Sequence, residues 1–308
     1  MPNYSGSWNL VQQMQAVAAS NWPIQPVQPG TVAIFALGNA SGASSTRDKY
    51  TFSGCVVSSG AAASAASFYS SAAGNSTVGI FALGYTTAPS TTRNKYTYSG
   101  CVNSSATAAT AASYAGSAAG NSTVGIFALG NYTTTRDKYT YSGCVVSSGA
   151  AASAASNIGS AAGNSTVGIF ALGYVCGLGG TTCRNKYTYS GCVSASATAS
   201  SAVSGIGSAA GNSTVGIFAL GYVSGASTTR DKYTYSGCVN ASATASSVAS
   251  RSGAAAGNST VGIFAIGNCT TTRNKYTYSG DVNASATASS ATSYFGSAAS
   301  NGTCGVNV

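Results

Sequence analysis

The chain has 308 residues with 13 Lys and Arg, four Asp, no Glu and no His, for a formal charge of +9. General acid–base work draws on His, Glu or a tuned Lys, and glycoside cleavage on two neighbouring carboxylates; four Asp spread singly along the chain exclude most enzyme classes. The same inventory offers no clustered metal-ligand set, and neither metal nor cofactor is expected.

Residues 1–30 read as a separate arm. Ser5 or Ser7 is placed to cap a short helix running to Ser20, with Trp8, Val11 and Val17 among its apolar positions. A Pro-rich linker, NWPIQPVQPG, follows over 21–30. The opening residues have neither the basic nor the apolar region of a secretory signal, so synthesis in a cytoplasm is expected. No apolar run reaches the ~18 residues of a membrane span, so no membrane insertion is expected. A hydrophobic content of 44% with 19 Tyr argues against disorder.

From Thr31 the chain is repetitive, and the repeat dominates the reading. A block of the form STVGIFALG recurs with its Phe at 35, 81, 127, 170, 218 and 264. A block TR(D/N)KYT(Y/F)SG recurs with its Arg at 47, 93, 136, 184, 230 and 273. Each Arg stands 34 residues before the next Phe, so all variation in length lies between the Leu-Gly or Ile-Gly of one block and the Arg of the next. The variable loops are 39–46, 85–92, 131–135, 174–183, 222–229 and 268–272. Repeats of fixed length with one variable loop each present those loops on one face, where binding commonly resides.

Each unit predicts four short strands. In one unit they are a small-residue strand over Tyr114–Gly120, the apolar run Val124–Leu129, the alternating Lys138–Tyr141 and an outer strand Cys144–Val146. Asn121-Ser-Thr123 supplies the turn between the first two. Six such units predict a β-propeller, with small residues innermost where backbones crowd. A β-solenoid is the weaker alternative. The first unit lacks its inner strand, and 294–300 is left over at the other end; pairing these two ends would leave no open edge. The tail CGVNV (304–308) stays in register as a decayed strand.

The order YAGSAAG-NST-VGIFALG-x-TTRDKYTYSG resembles the kelch repeat across residues 31–300, with a single Gly in place of the double Gly and no outer-strand Trp. It is most similar to bacterial and phage proteins with repeats of the TTRDKYTYSGD type. The resemblance implies a fold, all-β and six-bladed, with the short arm 1–30 ahead of a propeller over 31–308. It implies little about function.

Twelve of the thirteen basic residues belong to the six motifs and are dispersed evenly rather than gathered into a patch, so no nucleic-acid partner is expected; Arg251 is the thirteenth. Arg and Lys of the motif share one strand face. The favoured reading is hydrogen bonds to carbonyls of the neighbouring unit plus a solvated rim, against a ring of anion sites. The residue between them alternates Asp48, Asn94, Asp137, Asn185, Asp231, Asn274, setting three acids around the array. One Asp per site is too few oxygens for calcium.

Cys55, Cys101, Cys144, Cys192 and Cys238 share one repeat position, with Asp281 in the sixth unit. They read as free thiols. Cys176 and Cys183 flank the longest loop and are the candidate disulfide, with free thiols the equal alternative; Cys269 and Cys304 have no other mates. The candidate binding residues lie on the loop rim: Tyr174, Cys176, Cys183, Tyr85, Tyr132 and Tyr222. The functional expectation is a non-enzymatic bacteriophage virion protein, a tail fibre or other exterior component, made in the host cytoplasm. The arm would contact other virion proteins, and the rim a host-surface glycan or a neighbouring subunit, with homo-oligomers allowed. The alternative is a bacterial surface or secreted lectin-like protein.

Overall fold

The computed structural model describes residues 31–301 except 40–41, 53–55, 99–101, 142–144, 178, 191–192, 223, 236–238, 241–242 and 279–281. The arm 1–30, the five repeated cysteines, Asp281, Cys304 and the tail therefore lie outside the described residues. The described residues form no helix; they build small antiparallel sheets.

Six sheets have four strands in the same order. Units 1 to 6 are numbered by their second strands, Val32–Ala36, Val78–Ala82, Val124–Ala128, Val167–Ala171, Val215–Ala219 and Val261–Ala265. These runs are buried on both faces, which is why they read as unbroken apolar stretches. Each pairs with the Arg-led third strand in full register, as in Arg136↔Ala128 and Thr140↔Val124. The third strand alternates in burial, and a register shift interrupts its pairing with the outer strand in five units.

The inner strands are shorter than the sequence suggests. In unit 3 the strand is Ser117–Gly120, because Ala115 turns to φ 56° just before it. Gly120 itself is required: a Cβ there would come within 2.0 Å of the Tyr141 hydroxyl. In unit 1 the inner strand comes from the far end of the chain. Ser297–Ser300 pairs with Val32–Ala36, registered as Ala33↔Ser300 and Ala36↔Ser297. Asn301 Oδ1 also accepts the Val32 amide at 2.8 Å.

The apolar core is split into layers between sheets. Val78, Ile80 and Ala82 of unit 2 pack on Phe127 and Tyr139 of unit 3, and equivalent layers join every successive pair. One layer joins unit 6 to unit 1, through Ile263 and Ala265 against Phe35 and Tyr50.

The backbone repeats this connectivity. Tyr69 N donates to Phe295 O, Phe295 N to Ser252 O, Ser252 N to Ile206 O, Ile206 N to Ile158 O, Ile158 N to Ala115 O, and Ala115 N to Tyr69 O, over 2.6–3.0 Å. The six bonds run head to tail and return to their start. All six residues have φ of 55–58°. At the opposite ends of the inner strands, Asn75, Asn121, Asn164 and Asn212 each donate through Nδ2 to a Ser carbonyl of the next unit at 3.0–3.1 Å. Their Oδ1 atoms accept amides two and three residues on, as at Thr77 and Val78.

Candidate functional site

Two sets of residues were candidates from sequence: the Arg-x-Lys motifs and the loop rim. The structure treats them differently.

Each motif Arg reaches across to the next unit and is only 1–2% exposed. Its guanidinium lies over the Phe and Tyr of the neighbour, as Arg93 over Phe127 at 5.0 Å and Tyr139 at 4.3 Å. Arg273 repeats this over Phe35 and Tyr50 of unit 1. For the Arg, the expected carbonyl acceptors of the neighbouring unit and a solvated rim are therefore corrected, while the motif Lys are part-exposed. The partners are aromatic faces and, for five of the six Arg, the acid or amide of the next motif, because a planar cation stacks on a ring while its edge donates; Arg47 instead donates to the Ser45 carbonyl. Buried guanidinium groups also give no ring of accessible anion sites.

The Asp/Asn alternation gains a physical meaning from this offset. Arg93, Arg184 and Arg273 pair with Asp137, Asp231 and Asp48 at 3.4, 3.0 and 3.1 Å. Arg136 and Arg230 meet Asn185 and Asn274 at 3.1 and 3.3 Å. Every Asp is thus opposite an Arg whose own motif carries Asn. The three acids are buried in separate junctions between units and share no face for a cation. Burial pulls Arg136 and Arg230 down to about 10, with the Tyr187 and Tyr276 phenols partly opposing it. Both remain charged at neutral pH.

The acid or amide also holds the segment arriving from the previous unit. Asp231 accepts from Ser201 N at 2.9 Å and Ser201 Oγ at 2.5 Å. Asn185 accepts from Ser153 N and donates to Ser153 Oγ at 2.7 Å. A hydroxyl rotates to suit either partner, so Asp and Asn are interchangeable toward Ser and differ only toward Arg.

The variable loops end beside the circuit of left-handed residues. Just outside it stand Phe68, Tyr114, Asn157, Gly205, Arg251 and Tyr294, one from each unit, bridged to the loops at Tyr85, Gly130, Gly173, Tyr222, Gly267 and Gly38. The scaffold repeats here, but the side chains do not. Units 1 to 3 contribute an unbroken run of rings: Tyr294–Phe295 at 3.9 Å, Phe295–Tyr69 at 3.7 Å, Tyr69–Phe68 at 5.1 Å, Phe68–Tyr85 at 5.2 Å and Tyr85–Tyr114 at 6.0 Å. All six residues are half-buried. Arg251 lies over the Tyr294 ring at 5.4 Å.

The rim residues expected from sequence fall into two groups. Tyr85 belongs to this run. Of the others, burial raises the Tyr174 phenol, and the Tyr222 and Tyr132 phenols add to the shift. The Tyr174 ring covers Gly205, where a Cβ would come within 2.4 Å of it. Tyr132 is exposed. Phe68, Tyr69, Tyr114, Tyr294 and Phe295 were not singled out from sequence, because they lie in segments assigned to, or leading into, the inner strand. Their departure from the small residues at equivalent positions was the available signal.

Cys176 and Cys183 are free and exposed in the structure. Loop 174–183 is instead ordered by backbone pairing: Tyr174–Val175 pairs with Gly179–Gly180 and with Ser156–Asn157. In that register Cys176 stands at the hairpin tip, with its amide on Ala155 O. Cys183 lies at the base, its carbonyl accepting Leu172 N. Cys269 is likewise free and exposed.

Within the circuit, Tyr69, Ala115, Ile158, Ile206, Ser252 and Phe295 surround a cavity of about 50 Å3. A second cavity of about 80 Å3 is walled by the Ala-Ala-Gly, Ala-Ala-Gly, Ala-Ala-Gly, Ala-Ala-Gly, Ala-Ala-Gly and Ala-Ala-Ser ends of the six inner strands. Among the described residues, no three His, Cys, Asp or Glu side chains gather into a metal-binding group. Nor is any helix long and apolar enough to cross a membrane. No protein-family model matches the chain, and no curated protein matches it.

Proposed function

We propose that the chain is a six-bladed, kelch-like β-propeller, closed by its C-terminal inner strand, that serves as a non-enzymatic exterior component of a bacteriophage virion. Its loop face binds a host surface or a neighbouring subunit, and the arm 1–30 attaches it to other virion proteins. The closure rests on the strand pair Val32–Ala36 with Ser297–Ser300 and on the returning circuit of backbone bonds. The observation carrying the functional reading is that loop length and side-chain chemistry diverge together on one face of an otherwise repeated scaffold.

The test is made on particles. Cutting the 174–183 hairpin to the five-residue form of 131–135 removes Tyr174 and the small sheet that Tyr174–Val175 forms with Gly179–Gly180 and Ser156–Asn157, and leaves the six four-stranded sheets in place. Folding is expected to survive, while adsorption or assembly is lost. Survival of both overturns the reading of that loop as a protein contact. Immunogold labelling is expected to place the chain on the particle exterior. Its absence from purified particles leaves the second reading, a secreted or surface lectin-like protein, which the run of half-buried rings favours.

A further inference from the structure

Resting on the reading of the loop face as a binding face, we propose that the aromatic run Tyr294–Phe295–Tyr69–Phe68–Tyr85–Tyr114 is a binding site for a neutral oligosaccharide. Four features fix the ligand class.

The first is geometry. Six rings touch in sequence without a gap, and Tyr69 and Phe295, the closest pair, stand at the edge of the axial cavity. The rings meet tilted or edge-on and stay half-buried, which leaves apolar surface for the C–H faces of pyranose rings, while four phenol hydroxyls at Tyr69, Tyr85, Tyr114 and Tyr294 meet sugar hydroxyls.

The second is charge. Asp48, Asp137 and Asp231 are fully buried within their Arg junctions, so they give this face no carboxylate. Among the described residues, Arg251 is the one cation recorded over a ring of the run, and it lies on Tyr294. A strongly charged partner finds no complement here, whereas a neutral polyhydroxyl ligand needs none.

The third is area. Six half-buried aromatic side chains expose on the order of a few hundred Å2 in total. That falls short of the ~800 Å2 per partner of a standard protein–protein interface. It suits a few sugar rings and argues against a second copy of this chain as the occupant.

The fourth is backbone strain. Tyr69 and Phe295 hold φ of 55°, where large non-Gly residues are unfavourable. Ala115 occupies the same place in unit 3 at φ 56°, so the fold needs no ring there. Aromatic side chains at these two positions are thus additions to the scaffold, not requirements of it.

The experiment uses the intact chain on an array of neutral, sialylated and sulfated glycans, followed by titration calorimetry with the neutral oligosaccharide bound best. Tyr69→Ala and Phe295→Ala are each expected to weaken binding about tenfold or more. Both reproduce what Ala115 does in unit 3, and their melting temperatures are expected to match the parent. Tyr69→Phe is expected to retain most of the affinity, and Val248→Ala, at an exposed residue outside the run, all of it. Three results overturn the proposal: no neutral glycan binds, only charged glycans bind, or the two alanine variants bind as the parent does. The particle test above reads a different loop. Absence of saccharide binding by the parent chain with intact adsorption rejects this site alone, and saccharide binding by a chain absent from particles rejects the virion reading alone.

Discussion

At the scale of single residues, the junctions between units turn on a mismatch of charge. Six buried Arg lie over aromatic faces of the next unit; three meet Asp and two meet Asn, so half of the guanidinium groups have no carboxylate opposite. Removing Arg184 leaves Asp231 as a buried charge without its cation, a loss of about 3–5 kcal/mol. Removing Arg136 takes a charged donor from a neutral amide and costs less, about 1–3 kcal/mol. Arg184→Ala is therefore expected to lower the melting temperature more than Arg136→Ala. Asp231→Asn is expected to be milder than Arg184→Ala, because it converts that junction into the form already present at Arg136–Asn185. Calorimetric melting of the three variants checks the order.

The ring partners of these Arg groups also titrate abnormally. Burial pushes the Tyr50 and Tyr139 phenols up to about 12, partly opposed by Arg273 and Arg93. Because the folded values are raised, their contribution to stability is fully present below the ordinary tyrosine range near 10. It is lost as pH rises from there through about 12. Ultraviolet difference titration is expected to show a class of tyrosines that ionise well above the rest, together with loss of fold.

At the scale of the element, each strand reads correctly where its neighbours are sequence-local and less well where they are not. The apolar second strand and the alternating third strand follow from their own side chains. The inner strand begins two or three residues later than its composition suggests. The chain must first pass through a left-handed residue whose amide and carbonyl serve the adjacent units. Gly130 marks the other side of this crossing. At φ 68°, a Cβ there would lie 2.3 Å from Tyr114 O. Gly130→Ala is expected to destabilise strongly, through both the conformation and the displaced loop bridge. Equilibrium unfolding in urea checks it.

At the scale of the whole molecule, the number of junctions distinguishes a ring from a row. In an open array of six units the first and last are free of each other, and their facing groups contribute little. Here Arg273 meets Asp48, and Ser290 binds the same carboxylate through its amide at 3.0 Å. Arg273→Ala is therefore expected to cost as much as Arg93→Ala. A chain ending at Ser293 is expected to melt well below the parent, because it exposes the Val32–Ala36 edge. An unchanged melting temperature for either variant would count against closure.

The repeat length, the strand content and the face carrying the variable loops were all legible in the sequence by itself, because they depend on periodicity and local side-chain pattern. So was the shortage of groups for acid–base chemistry, which composition alone determines. The partners of the motif Arg were not, since the neighbouring rings and the paired acids or amides lie 34 or more residues away across a junction between sheets. The same holds for the pairing of Tyr174–Val175 with Ser156–Asn157, which joins the long loop to a segment distant in sequence. The aromatic run is the clearest case. Its six residues come from four separate segments, including one near the far end of the chain. Only the pairing of Ser297–Ser300 with Val32–Ala36 brings Tyr294 and Phe295 beside Phe68 and Tyr69.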